Sequence, residues 1–415
     1  MKWNVIRIAA VAACTLGSAA ASAQSVEVMH WWTSGGEGAA IGVLKKDLES
    51  RGIQWIDMAV SGGGGEAAMT ALRARAVAGN PPTSAQFLGM AVVDWANEDF
   101  LSDLTEVATK ENWDRSIPPA LQRFAKFKGK YVAVPVNIHR PHWLWMNARI
   151  FNDNGLRPPT TWDEFNATAD KLKAKGILPL AMGGQPFQEA TAWESVVLGL
   201  GGPDFYRKAV IEADPASMKS ATMLKVFDQM RKLRGYVDRN FAGRDWNLAT
   251  SMVIKGDAAM QLMGDWVKGE LIAAKGTPGK EVLCIVAPGT QGSFLFNTDF
   301  FAMFKVGGDR RAMQLTMASA VMNPTFQETF NLAKGSIPAR SDVPMDKFDA
   351  CGKQSAADLK AAAAANHVYG SLAHGHAQPA AMQRAYLDVI TKHFNSDMSS
   401  KDAVEALAKA VVAAR

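Results

Sequence analysis

The chain has 415 residues and a formal net charge of +5, from 45 Lys and Arg against 40 Asp and Glu. The basic excess is mild and scattered, with no Lys/Arg cluster, which argues against a nucleic-acid partner. Such a length exceeds the size at which one hydrophobic core stops growing, so two domains are expected.

Residues 1–23 carry Lys2 and Arg7, an apolar run over 8–16, and Ala21-Ser22-Ala23. This reads as a cleavable secretory signal, cut before Gln24. The run is too short to span a membrane. Val11-Ala12-Ala13-Cys14 also fits a lipobox, a second reading that leaves a very short signal. No later segment reaches the roughly 18 apolar residues of a membrane span, so a soluble, exported chain is expected. Loss of Lys2 and Arg7 lowers the formal charge by two, to +3. Cys14 leaves with them. Cys284 and Cys351 remain, and two cysteines in an oxidising compartment suggest one disulfide, two buried thiols being the alternative.

In chain order, 26–32 reads as a strand ending on Trp31 and Trp32. A glycine loop follows, then a helix over 39–51 with Ile41, Leu44 and Leu48 at helical spacing. A second strand over 54–60, a glycine loop at 62–65, and a helix over 66–78 come next. That helix stops before Asn80-Pro81-Pro82. A third strand spans 83–88. Alternating strands and helices predict a parallel α/β sheet, whose ligands sit beyond the carboxyl ends of the strands. Trp31 and Trp32, the 62–65 loop, and Leu88-Gly89 all fall at such ends. Residues 131–136 read as a strand, and Thr161 as a helix cap. A mainly helical region is expected up to about 275. Strands return at 282–286 and 300–304, and the remainder reads as helical apart from loops at 334–340 and 374–379.

"HWWTSGGE" after the first strand, "GKYVAVPVNIHRPHWLWMN", "PPTTWDEF", "GDAAMQLMGDW", "APGTQGSFLFNTDFF" and "KGSIPAR" together resemble the periplasmic solute-binding proteins of ATP-driven sugar importers. The tryptophan pair, "KGSIPAR" and "AHG" at 373–375 look most like the glucose-binding branch. The resemblance covers essentially the whole chain. It implies an α/β, two-lobed periplasmic-binding-protein fold with hinge-connected, sequence-discontinuous lobes. By analogy these comprise 24–136 plus 290–340, and 137–289 plus 341–415. It further implies a periplasmic monomer that binds a monosaccharide in the cleft and delivers it to an ABC-type permease in the inner membrane. No cofactor, metal or catalytic residue is implied.

A hexose needs an indole against its C–H face and charged or amide groups at its hydroxyl edge. Trp31 and Trp32 supply the first: one packs on its lobe and the other meets the ligand, unless both are core. Glu37 either accepts from a hydroxyl or serves the helix N-terminus. Lys334, Asp299 and His374 match branch positions. Asn297 shares the "FNTDFF" segment. Trp266 and Trp193 are candidates for the second sugar face, and His142 and Trp143 are weaker ones; His376 is the unmatched neighbour of His374, and a His-x-His pair can also bind metal, though no third ligand is near. Leu88 or Gly89 stands where the branch carries a polar residue, which puts glucose itself in question. A secreted glycoside hydrolase is the competing function. It needs two carboxylates about 5 to 10 Å apart, and no local motif pairs any here.

Overall fold

The computed structural model describes residues 24–308 and 310–415. The segment read as a signal, 1–23, lies outside them. Two sheets organise the chain. The strands of three or more residues are β1 (Ser25–His30), β2 (Gln54–Ala59), β3 (Ser84–Leu88), β4 (Ala133–Pro135), β5 (Trp143–Asn147), β6 (Leu178–Leu180), β7 (Ala258–Met263), β8 (Val282–Val286), β9 (Phe294–Phe296), β10 (Asp299–Met303) and β11 (Val368–Gly370). The first sheet runs β2-β1-β3-β10-β4 and the second β8-β5-β7-β6. β1 is parallel to β2 and β3, as the alternation of strands and helices predicts. β10 returns from far along the chain to pair antiparallel with β3 and β4.

Each sheet has its own core. The first core draws on Val26 through Ile138 and takes up the chain again at Phe300–Phe304 and in the helices that follow. The second holds Leu144, Trp193, Tyr206, Phe227 and Tyr386. β9 is the seam. Its side chains alternate faces, so Phe294 and Phe296 join the first core while Leu295 joins the second.

The helices that position the site are α1 (Gly35–Ser50), α2 (Glu66–Val77), α3 (Pro186–Tyr206), α4 (Val267–Ala273), α5 (Arg310–Met322), α6 (Pro324–Lys334) and α7 (Ala350–Ala364). Several boundaries differ from the sequence reading. β1 stops at His30, so neither tryptophan lies in the strand. The glycines after them open α1 instead of forming a loop, because Ser34 and Glu37 cap that helix end. The stretch expected to be mainly helical contains β6 and β7, and β9 and β11 were not expected. α7, placed with the second lobe by sequence, packs Ala356, Leu359 and Ala362 on the first core. Cys284 in β8 and Cys351 in α7 are disulfide-bonded, with Cα atoms 6.2 Å apart.

A candidate ligand cleft between the two sheets

Because β1 ends at His30, Trp31 and Trp32 escape the alternation of a strand and turn to the same cleft. The Trp31 amide donates to Gln86 Oε1 at 3.1 Å. Its indole lies on Gly65, whose φ is +79° and where a Cβ would stand 2.9 Å from the ring. Glycine is therefore required there both for conformation and for space. Trp32 is anchored to its lobe by Phe301, edge-on at 5.8 Å, and Phe330 at 5.3 Å.

The charged groups come from helix ends. Glu37 Oε2 accepts from the Ser34 hydroxyl at 3.1 Å. Its Oε1 faces Lys334 Nζ at 3.3 Å. Lys334 is the last residue of α6, and Gly335 ends that helix with φ +91°. The ammonium stands 5.6 Å from the Trp32 ring centroid. Lys334 is only 3% exposed, so it is a buried, paired cation and not a solvated surface lysine.

Asp299 opens β10. Its Oδ1 accepts from Gln86 Nε2 and its Oδ2 from Asn137 Nδ2, both at 2.8 Å. His139 Nε2 is 3.3 Å away. Burial pushes the carboxyl pKa up, but the His139 hydrogen bond and charge, helped by Lys334, hold it down at about 2. The other face of His139 meets Asp265, in the loop after β7. Burial opposes the imidazolium, and the two carboxylates more than offset it, so the His139 pKa is raised. His139 thus bridges a carboxylate from each side of the cleft. Its backbone is also paired with Asn297 in both directions, at 2.8 and 3.1 Å.

Trp266 faces these groups from the second sheet, edge-on to His139 at 5.2 Å and to His374 at 5.3 Å. His374 Nδ1 bonds Ser371 Oγ at 2.8 Å. Burial, with the charges of His376 and His139, lowers its pKa to about 3 and keeps the ring neutral.

Trp31, Trp32, Glu37, Trp266, Asp299, Lys334 and His374 all line one cavity that opens to solvent. Leu88, His139 and Asn297 share its wall. So do Phe187 and Trp246, which, like His139, sequence reasoning did not single out. Trp246 follows a helix cap in "RDWNLAT", and nothing in that stretch separates it from a core tryptophan. A second cavity of about 130 Å³ adjoins the first across Trp31, Leu88 and His374, and is walled further by Met69, Met90 and Gln383.

Other candidates lie elsewhere. Trp193 is fully buried against Phe227 and Tyr386 in the second core. Every residue of α3 from Phe187 to Leu198 is buried, so no exposed face there marks which way Trp193 turns. Trp143 packs on Trp145 at 5.8 Å, and His142 accepts from Arg140 Nε at 3.1 Å, both away from the cavity. His376 is wedged 4.9 Å from Phe124, and its Nε2 accepts the Thr298 amide proton at 3.1 Å. Among the described residues no group of three or more His, Cys, Asp or Glu is placed to hold a metal ion. No helix among them is long and apolar enough to cross a membrane.

Residues 45–310 match the family described as bacterial extracellular solute-binding protein. The chain belongs to that family. Two relatives bear the name "Probable sugar-binding periplasmic protein". That of Rhizobium meliloti (strain 1021) is 54% identical over 98% of both chains. That of Brucella suis biovar 1 is 55% identical, over 94% of this chain and 93% of its own. In fold, this solute-binding protein is similar to the bacterial solute receptor AcbH, with a TM-score of 0.79 at 19% identity, covering 94% of this chain and 99% of that one. It is similar also to a chitin oligosaccharide binding protein, with a TM-score of 0.78 at 19% identity, covering 94% and 98%. These likenesses carry the two-lobed α/β fold.

Proposed function

We propose that this solute-binding protein takes a monosaccharide, glucose or a similar hexose, into the cleft and delivers it in the periplasm to an ABC-type permease. The lobes, 24–136 plus 290–340 with α7 packed on them, and 137–289 plus the chain after α7, close on the ligand as units. One observation carries this reading: indoles and buried hydrogen-bonding groups of both signs meet in one cavity. Trp31 offers a flat apolar face, and Trp266 an indole from the opposite side. Glu37 and Asp299 accept, and Lys334 donates, at the edge between them. A hydroxyl with the wrong stereochemistry would leave one of these groups unpaired, which is how such a site discriminates. The names borne by the relatives support a sugar as the ligand class.

The carboxylates also count against a glycosidase. Asp265 and Asp299 are tied to one buried His139 and to amide donors, and Glu37 is paired with Lys334. Each is engaged by a basic or amide partner, so these three offer no free carboxylate pair of the kind hydrolysis requires.

Calorimetric titration of refolded, ligand-free protein with hexoses, pentoses and disaccharides tests the reading. One site per chain with a preference among hexose epimers is expected. Leu88 faces the cavity where the resemblance calls for a polar contact, so Leu88→His should shift that preference without abolishing binding. Binding only to disaccharides or longer sugars, or to none, would overturn the monosaccharide reading.

A further inference from the structure

Resting on the reading of the cleft as a sugar site, we propose that Glu194, acting through Ser371, fixes which ring nitrogen of His374 carries the proton. His374 then faces the ligand as a hydrogen-bond acceptor. Glu194 lies on α3, fully buried, and does not wall the cavity. Its Oε1 accepts the Ser371 hydroxyl at 2.6 Å. Its Oε2 accepts the Leu372 amide at 2.8 Å and the Ala373 amide at 3.4 Å, with the Tyr206 hydroxyl 3.3 Å away.

A serine hydroxyl carries one proton and two lone pairs. While Glu194 is a carboxylate, that proton belongs to it. Ser371 Oγ then has only lone pairs to offer His374 Nδ1, 2.8 Å away. Nδ1 must therefore carry the hydrogen. In a neutral ring Nε2 is then bare. Nε2 makes no hydrogen bond to the described residues, and His374 walls both cavities. Glu194 is thus a positioning residue: it never touches the ligand, yet it decides that a ligand hydroxyl must donate to His374.

The chain of groups is reversible. A protonated Glu194 donates to Ser371, the hydroxyl turns to donate to Nδ1, and the ring gives up its Nδ1 proton and gains one at Nε2. The net uptake is the single proton on Glu194, and His374 becomes a donor. Burial pushes the Glu194 pKa up to about 7, so this reversal falls in the neutral range. The other ionisable groups acting on the chain are Tyr206 beside Glu194, and His376, His139 and Asp299 around His374. His376 titrates near 4 and Asp299 near 2, well below the window, whereas His139 is raised above its usual value, so the ring signals of His374 itself, and not affinity alone, assign the change to this relay.

Nitrogen NMR of ring-labelled, ligand-free protein reads the tautomer directly. In the wild type the Nδ1–H form should dominate at pH 8, with Nε2–H growing as the pH falls to 6. Affinity for the best sugar should fall about tenfold over the same interval, as one linked proton with a midpoint near 7 requires. In Glu194→Gln the carbonyl takes the Leu372 and Ala373 amides and the NH₂ donates to Ser371. His374 should stay Nε2–H at every pH, with affinity at least tenfold lower and flat from pH 6 to 8. If that variant does not fold, the wild-type titration decides alone. A tautomer that ignores both pH and the Gln substitution overturns the proposal, whatever the sugar affinity. Because the tautomer is read without ligand, failure to bind any monosaccharide would strike the sugar reading and leave the relay standing.

Discussion

An indole stabilises a sugar by covering C–H groups, whereas a buried lysine acts through one directed hydrogen bond. Trp31→Ala should cost about 2 kcal/mol or more, by analogy with anchoring aromatics at interfaces, or roughly thirtyfold in affinity. Lys334→Met keeps the stem and removes the donor, and leaves Glu37 without its partner. It should cost about 1.5–3 kcal/mol. Calorimetry on variants that melt normally checks both, and unchanged affinity in both would place the site elsewhere. Buried titrating residues set a stability profile as well. Burial lowers His374 to about 3 and His376 and His393 to about 4, and holds His142 well below its usual value. An unfolded histidine takes its proton near 6.5, so each of the four weakens the fold as pH drops below that. Burial also raises Glu189 and Glu194 to about 7. Their folded forms hold protons that unfolded glutamates release near 4.3, so they weaken the fold as pH rises toward 7. The raised His139 adds to that loss above 6.5. Between pH 4.5 and 6.5 four histidines oppose two glutamates, a net slope of about 2–3 kcal/mol per pH unit. Urea midpoints at pH 5, 6.5 and 8 should therefore peak at 6.5. A midpoint that keeps rising to pH 8 would refute this assignment of protons.

At the scale of elements, what could be read from sequence follows from pattern strength. β1 to β3 and the helices between them carry clear periodicity and turn signals, and they form. β7 does not announce itself, because all six residues of Ala258–Met263 are buried and several are good helix formers. A strand covered on both faces loses the alternation that marks a half-exposed one. β6 and β9 have three residues each, too few for any period. The opposite error occurred at Gly35, where glycines suggested a loop but a reciprocal Ser34/Glu37 cap starts the helix. The cysteines were legible as a pair only by compartment; the pairing of β8 with α7 needed the fold. That bridge spans a sequence separation of 67 residues. Closing a loop of that length restricts the unfolded chain by about 4 kcal/mol. Cys284→Ser/Cys351→Ser should unfold at lower urea by a corresponding amount. An unchanged midpoint would mean that the bridge constrains nothing the unfolded chain can use.

The cleft exists only at the scale of the whole molecule, since its walls come from segments some 300 residues apart. Sequence could name Trp31, Lys334 and His374 through motifs at strand and helix ends. It could not find Phe187 or Trp246, which enter the cavity only because the second lobe presents them. Several contacts join the two sides, and one of them can be tested by itself. The N-terminus of α1 packs against the middle of α4, with the Gly36 amide donating to Glu270 Oε1 at 2.7 Å. A Cβ on Gly36 would overlap the Gly269 carbonyl carbon, while a Cβ on Gly38, two residues further, would meet nothing within 4 Å. The two glycines therefore separate helix propensity from lobe contact. Either alanine should favour α1 itself by about 0.5–1 kcal/mol. Gly38→Ala should melt slightly higher and bind like wild type. Gly36→Ala cannot bring α1 onto α4 without backbone displacement. If the lobes close on their ligand through this contact, it should bind at least tenfold more weakly. X-ray scattering should then find less compaction on ligand addition in Gly36→Ala than in Gly38→Ala. Equal affinity and equal compaction in the two variants would show that closure does not run through the α1–α4 contact.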